Sequence, residues 1–168
     1  MDQLESELIL SERYHPSDEM VRKFYKKRLN GDQHMLGEQV GSLTASTINK
    51  PLSADGALPK FEVTATGGGT LSGAEVQTLA TYSAEMRTDG TLYGECPNQG
   101  VVMTQDGVAT FRATGSGSFT ADGGAIFRGA VYFQASAPSL ASLNGTCCVY
   151  HWDVDAEGNA TCDIWEWK

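Results

Sequence analysis

From residue 60 onward the chain alternates apolar and polar positions with a period of two. The run Phe127, Arg128, Gly129, Ala130, Val131, Tyr132, Phe133 and Gln134 displays the pattern. Alternation of this kind places one set of side chains on each face of a β-strand. It predicts strands near 60–66, 73–87, 91–96, 99–105, 108–119, 124–135, 146–154 and 161–167. A weaker first strand over 35–47 carries Leu36, Glu38, Val40 and Ser42. Asp89-Gly90, Asp106-Gly107, Asp122-Gly123-Gly124 and the stretch from Asp155 to Asn159 supply turn residues that tolerate positive φ. Lys50 to Pro59, with two prolines and Asp55-Gly56, reads as a loop.

Strands in succession without helical interludes make the chain mainly β. They favour a closed barrel or a sandwich, and the architecture expected here is a single antiparallel up-and-down β-barrel of about eight strands. Gly115, Gly117 and Gly129 fall inside strands, where glycine marks the bends by which a sheet curls shut.

Residues 16–29 form the one convincing predicted helix. Pro16 suits its first turn, Asp18 and Glu19 its positive end, and Lys26, Lys27 and Arg28 its negative end. Asn30-Gly31 is a fitting stop. The expected division is a helical arm or lid over 1–31 and a barrel domain over 32–168. Met20, Phe24 and Tyr25 share one face of the helix, so something must cover it. A lid on the barrel mouth, a cover for an open seam and a homodimer contact all satisfy that requirement.

Parity along each strand predicts which side chains point inward. Strand 108–119 offers Ala109, Phe111, Ala113, Gly115, Gly117 and Phe119; strand 124–135 offers Phe127, Gly129, Val131 and Phe133. Strand 73–87 offers Val76, Thr78, Ala80, Tyr82, Ala84 and Met86. Small residues interleaved with phenylalanine leave room for a ligand, and taper packing produces the same mixture. Tyr150 and Trp152 share one face of their strand, and Trp165 and Trp167 share one face of the next. These rings form either a cross-strand cluster that closes the barrel or an aromatic wall against a ligand. The candidate ligand contacts are Met86, Met103, Phe111, Phe127, Phe133, Tyr150, Trp152 and Trp165.

Size and charge narrow the partners. At 168 residues the chain is long enough to bury roughly 70% of its unfolded surface without disulfides or metal. A formal net charge of −9 argues against nucleic acid, and the acidic excess lies wholly beyond the neutral first thirty residues. Cys96, Cys147, Cys148 and Cys162 contain no C-x-x-C pair, so no metal site is expected. The only N-terminal apolar run, Leu8-Ile9-Leu10, is too short for a signal peptide core, and no segment reads as a membrane span. A cytoplasmic protein with reduced cysteines is the expectation. No phosphate loop, nucleotide fingerprint or Ser-His-Asp order appears, so no cofactor is expected.

Three residues are candidates for catalysis. Glu38 lies among Leu36 and Val40; if it projects inward, an apolar cavity would raise its pKa and make it an acid, whereas an exposed strand position leaves it inert. Tyr82 sits on an apolar face, where its hydroxyl meets either a ligand oxygen or the backbone. Glu95 shares parity with Tyr93 and faces either way. His151 points away from Trp152, so an inward tryptophan places the histidine outside.

Leu92-Tyr93-Gly94-Glu95, Gln99 to Thr104, Gly115-Ser116-Gly117-Ser118-Phe119, Arg128-Gly129-Ala130, Leu140 to Asn144 and Ile164 to Lys168 carry a likeness. Over roughly residues 70–168 the chain resembles a widespread bacterial family of small, largely uncharacterised β-barrel proteins. More distantly it is similar to allene oxide cyclase and dirigent barrels, and to barrel cyclases of the spirotetronate Diels–Alder type. That resemblance implies a cofactor-independent cyclase or isomerase that folds a small apolar metabolite inside the barrel, in natural-product metabolism. A carrier of a small lipophilic ligand and a filled structural barrel are the alternatives.

Overall fold

The computed structural model describes residues 36–54 and 58–168. Eight strands occupy them: β1 (Leu36–Pro51), β2 (Lys60–Leu71), β3 (Ala74–Met86), β4 (Leu92–Met103), β5 (Val108–Phe119), β6 (Ala125–Ala135), β7 (Cys148–Val154) and β8 (Asn159–Trp167). Each strand pairs antiparallel with the next, and β8 closes on β1 with Leu43 opposite Cys162, so the sheet is a closed up-and-down barrel. Closure satisfies the edge groups that an open sheet would expose. The predicted helix over 16–29, with Met20, Phe24 and Tyr25, lies outside the described residues.

The expected runs 91–96 and 99–105 are one strand. Pro97 cannot donate to the ladder, and Asn98 adopts φ 60°, so the register against β5 slips between Cys96 and Gly100. A bulge of this kind bends a strand without ending it. β2 likewise continues to Leu71 through three successive glycines, because the ladder is made by backbone and does not need side chains. β1 runs on to Pro51, opposite Phe61, past the start of the expected loop.

The turns follow the predicted chemistry. Gly90, Gly107, Gly123 and Gly158 all have positive φ. The Asp89 carboxylate accepts from the Thr91 backbone N–H at 3.0 Å, and Asp155 accepts from Asn159 N–H at 2.8 Å.

One end of the tube is stoppered by the connection from β6 to β7. Its 3₁₀ turn, Pro138–Leu143, buries Leu140 and Leu143 completely. These two pack with Leu71, Val76, Val102, Ala109, Phe133 and Ile164 in the main core. The turn is tied down by polar groups that sequence patterning does not reveal. Asp106, in the β4–β5 turn, accepts from Ser139 N–H at 2.9 Å and from Ser139 Oγ at 2.8 Å. The Asn144 amide imitates a strand, accepting from Ala135 N–H at 2.8 Å and donating to Ala135 C=O at 3.0 Å.

Truncating the stopper should therefore be costly. Leu140→Ala is expected to lower unfolding free energy by about 2–5 kcal/mol, because a fully buried leucine leaves a cavity. Ile48→Ala, at a position 73% exposed, should change it by less than about 0.5 kcal/mol. Urea denaturation of the two variants measures the contrast.

Candidate functional site

Above the stopper the lumen is not filled. A cavity of about 110 Å³ remains, bordered among others by Leu43, Ala80, Tyr82, Phe111, Ala113, Phe127, Phe133, Tyr150, Trp152 and Cys162. It exists because of how large and small residues align across strands. Gly94, Gly115, Gly129 and Tyr150 are successive cross-strand partners on β4 to β7; the tyrosine reaches over Gly129 to Gly115, and the Phe127 ring lies against Gly94. A β-carbon on Gly115 would lie 2.5 Å from the Tyr150 hydroxyl oxygen. Gly100 similarly receives the ring of Phe111, which packs on Phe133 with centroids 5.8 Å apart. Gly115 thus does more than bend a strand; its missing side chain is the niche of a ring.

The polar groups on the cavity border are few: the hydroxyls of Thr78, Tyr82 and Tyr150, the Trp152 indole, two thiols and the exposed Glu95. Trp152 Nε1 donates to the Tyr82 hydroxyl oxygen at 3.2 Å, with the two rings edge to face at 89°. Tyr82 keeps its own proton for another partner. Tyr150 has no hydrogen bond to any group among the described residues, and no buried polar atom there lacks a partner. Its oxygen therefore retains surface that opens onto the cavity.

Burial controls the ionisation of these groups. Desolvation pushes Tyr82 up to about 12, offset in part by the Trp152 hydrogen bond. Tyr150 is raised as well, chiefly by desolvation and then by neighbouring Cys162 and Tyr82. The Cys162 thiol is pushed up to about 12 by burial, with Asp163 and Asp153 adding to it, and burial raises Cys96 too. At neutral pH the wall holds protonated thiols and phenols. No thiolate nucleophile is present among them, since the thiolate is the reactive form.

The candidate residues divide between the two faces of the sheet. Tyr82, Phe111, Phe127, Phe133, Tyr150 and Trp152 border the cavity together. Glu38 does not: β1 slips register between Leu36 and Gly41 against β8, which breaks the parity argument, and Glu38 is exposed. Glu95 is also exposed, and it stands on the cavity border between inward Gly94 and Cys96. Met103 follows inward Val102 and is 43% exposed. Trp165 follows inward Ile164 and lies outside, tilted on the exposed His151 ring at 4.7 Å. Met86 sits at the far end of β3, opposite Leu92 and away from the cavity border. Phe119, expected inside, is 57% exposed at the end of β5. The four-ring aromatic cluster is therefore split: Tyr150 and Trp152 inside, Trp165 and Trp167 outside. The candidates that sequence reasoning missed are Cys162 and the glycine niches. The signal for them was cross-strand register, which one strand's pattern does not contain.

No family model matches the chain, and no curated protein matches it. Among solved structures, the barrel is similar to a conserved protein of unknown function, RPA1785, from Rhodopseudomonas palustris. The match has 15% identity and a TM-score of 0.65 and covers 78% of this chain and 97% of that one. The two share a fold. Identity this low shows the small eight-stranded barrel and nothing about a shared ligand.

The buried thiol has a consequence for stability against pH. Folding raises the Cys162 pKa from 9.0 to about 12, so its contribution is complete below pH 9 and declines as pH rises towards the folded value. Between those limits one such group steepens the loss by about 1.4 kcal/mol per pH unit. Cys162→Ala should flatten the alkaline fall by roughly that amount, measured by urea unfolding at pH 9.5 and 10.5. Parallel curves for variant and parent would refute the assignment.

Proposed function

We propose that the barrel binds a small, neutral, mostly apolar molecule in its lumen as a non-catalytic carrier or sensor. The observation that carries this reading is an unfilled cavity of about 110 Å³ lined mainly by apolar side chains, with the hydroxyls of Thr78, Tyr82 and Tyr150 and the solvent-exposed Glu95 on its border. Its volume is comparable to the ~150 Å³ cavity that stays dry and takes up benzene, and well below the ~300–1,000 Å³ of drug-sized sites. The ligand class is therefore a ring or short chain of roughly six to eight heavy atoms. An ion would lose its hydration in such a wall without gaining a counter-charge, so the ligand is neutral.

A second reading is the cofactor-independent cyclase or isomerase implied by the likeness to allene oxide cyclase, dirigent and spirotetronate-type barrels. Tyr82 and Tyr150, protonated in a mainly apolar wall, favour it because a fixed hydroxyl can polarise a carbonyl or epoxide oxygen. Confinement of a flexible substrate supplies the remaining rate enhancement. Glu38 lies away from the cavity border, and Glu95, exposed at that border, is the one carboxylate among the described residues that this route has within reach. Faster closure of a small linear unsaturated epoxide with protein than without it would favour catalysis; recovery of every ligand unchanged favours the carrier.

Toluene tests the binding reading. It should bind saturably, quench or shift Trp152 fluorescence and raise Tm by mass action. Ala113→Leu, placed between Cys96 and Val131 in the wall, should weaken toluene at least tenfold by occupying the same space. Overpacking limits the loss of stability to about 1–3 kcal/mol. Absence of saturable binding by any apolar probe of this size would defeat the proposal.

A further inference from the structure

We propose that Tyr150 is the specificity residue of the lumen and selects ligands that carry one neutral hydrogen-bond acceptor, such as a ketone, ether or epoxide oxygen. This inference rests on the binding reading above and names the chemical class of its ligand. Tyr150 and Thr78 both border the cavity with hydroxyls that have no protein partner among the described residues, and Tyr150 differs in that its oxygen sits in a niche against Gly115. Its ring is flanked by Gly129, its oxygen lies against the bare Cα of Gly115, and inward Gly94 follows on the next strand. Tyr82 accepts from Trp152 Nε1 and keeps its own proton, so it is a second donor on the cavity border, and Tyr150→Phe separates the two.

The geometry also says which acceptors are refused. A phenol protonated throughout the physiological range donates one proton and carries no charge, so it rewards a single acceptor lone pair. A carboxylate or phosphate would need a cation, and among the described residues no lysine, arginine or histidine borders the cavity. A pure hydrocarbon fills the space but leaves the hydroxyl without a partner. Water that solvates that oxygen in the empty cavity must then leave uncompensated. Oxygen-bearing and oxygen-free ligands of one shape are thus separated by the hydroxyl that Tyr150 holds in its niche, and Tyr150→Phe removes that one atom.

Cyclohexanone and methylenecyclohexane have the same ring and the same number of heavy atoms, and differ only in C=O against C=CH₂. Ligand-detected NMR titrations of both probes, on the full-length protein and on Tyr150→Phe, give four affinities. The ratio of the two probes' affinities in the parent, divided by that ratio in the variant, should be on the order of three- to tenfold in favour of the ketone. Methylenecyclohexane should bind the variant as well as or better than the parent, which shows that the lumen is intact. An unchanged ratio with both probes still binding would overturn the assignment to Tyr150 and leave the binding reading standing. Failure of both probes to bind the parent would remove the binding reading, and this inference with it. Gly115→Ala provides a second route to the same answer. Its β-carbon displaces the hydroxyl, so the ratio should collapse there too while methylenecyclohexane is retained; a ratio preserved in Gly115→Ala counts against the niche.

Discussion

An eight-stranded tube is about as wide as the side chains it must contain, and that constraint shapes the rest of the molecule. Each inward ring needs a neighbouring strand to give up a side chain. Phe111 takes the space over Gly100, and Tyr150 the space over Gly115. Where a ring is matched by glycine or alanine, the wall is smooth and space is left over. Where aliphatic residues meet the Pro138–Leu143 turn, the tube is packed solid. Stopper and cavity are two outcomes of one rule about how large and small residues align across the ladder.

The same alignment determines the chemistry available inside. Strand parity sends Arg128 and Asp153 to the outer face, where they form an ion pair, and sends their neighbours Phe127 and Trp152 to the lumen. Charges stay in water, where they need no compensation. The interior holds groups that remain neutral when desolvated, namely thiols, phenols and an indole. Such a wall recognises shape and one or two lone pairs. It is poorly equipped for nucleophilic attack or for proton transfer between carboxylates.

Much of the fold was legible in the residues because period-two alternation and Asp-Gly turns are local signals. The mainly β class, the up-and-down barrel and the four Asp-containing turns follow from them. The site was legible only where parity ran unbroken. It held from Val76 to Tyr82 and along β6, so Tyr82, Phe127 and Phe133 were placed on the correct side. It failed at Glu38, because β1 slips against β8, and at the ends of β4 and β5, where Met103 and Phe119 lie beside the tube's rim. Reading Tyr150–Trp152 and Trp165–Trp167 as one cluster failed for another reason: each strand's pattern says which residues share a face, and says nothing about which face is inside.

The stopper shows the boundary most clearly. Leu140 and Leu143 have no periodicity to announce them, and their burial depends on Asp106 and Asn144 holding a short turn across the end of the barrel. The chain's own pattern determined that strands form, where they turn and that they alternate between water and core, since those follow from nearest-neighbour geometry. Only the closed tertiary structure decided which strand's glycine stands beside which strand's ring. The unfilled cavity and the unpartnered Tyr150 hydroxyl depend on register between residues that are distant in sequence.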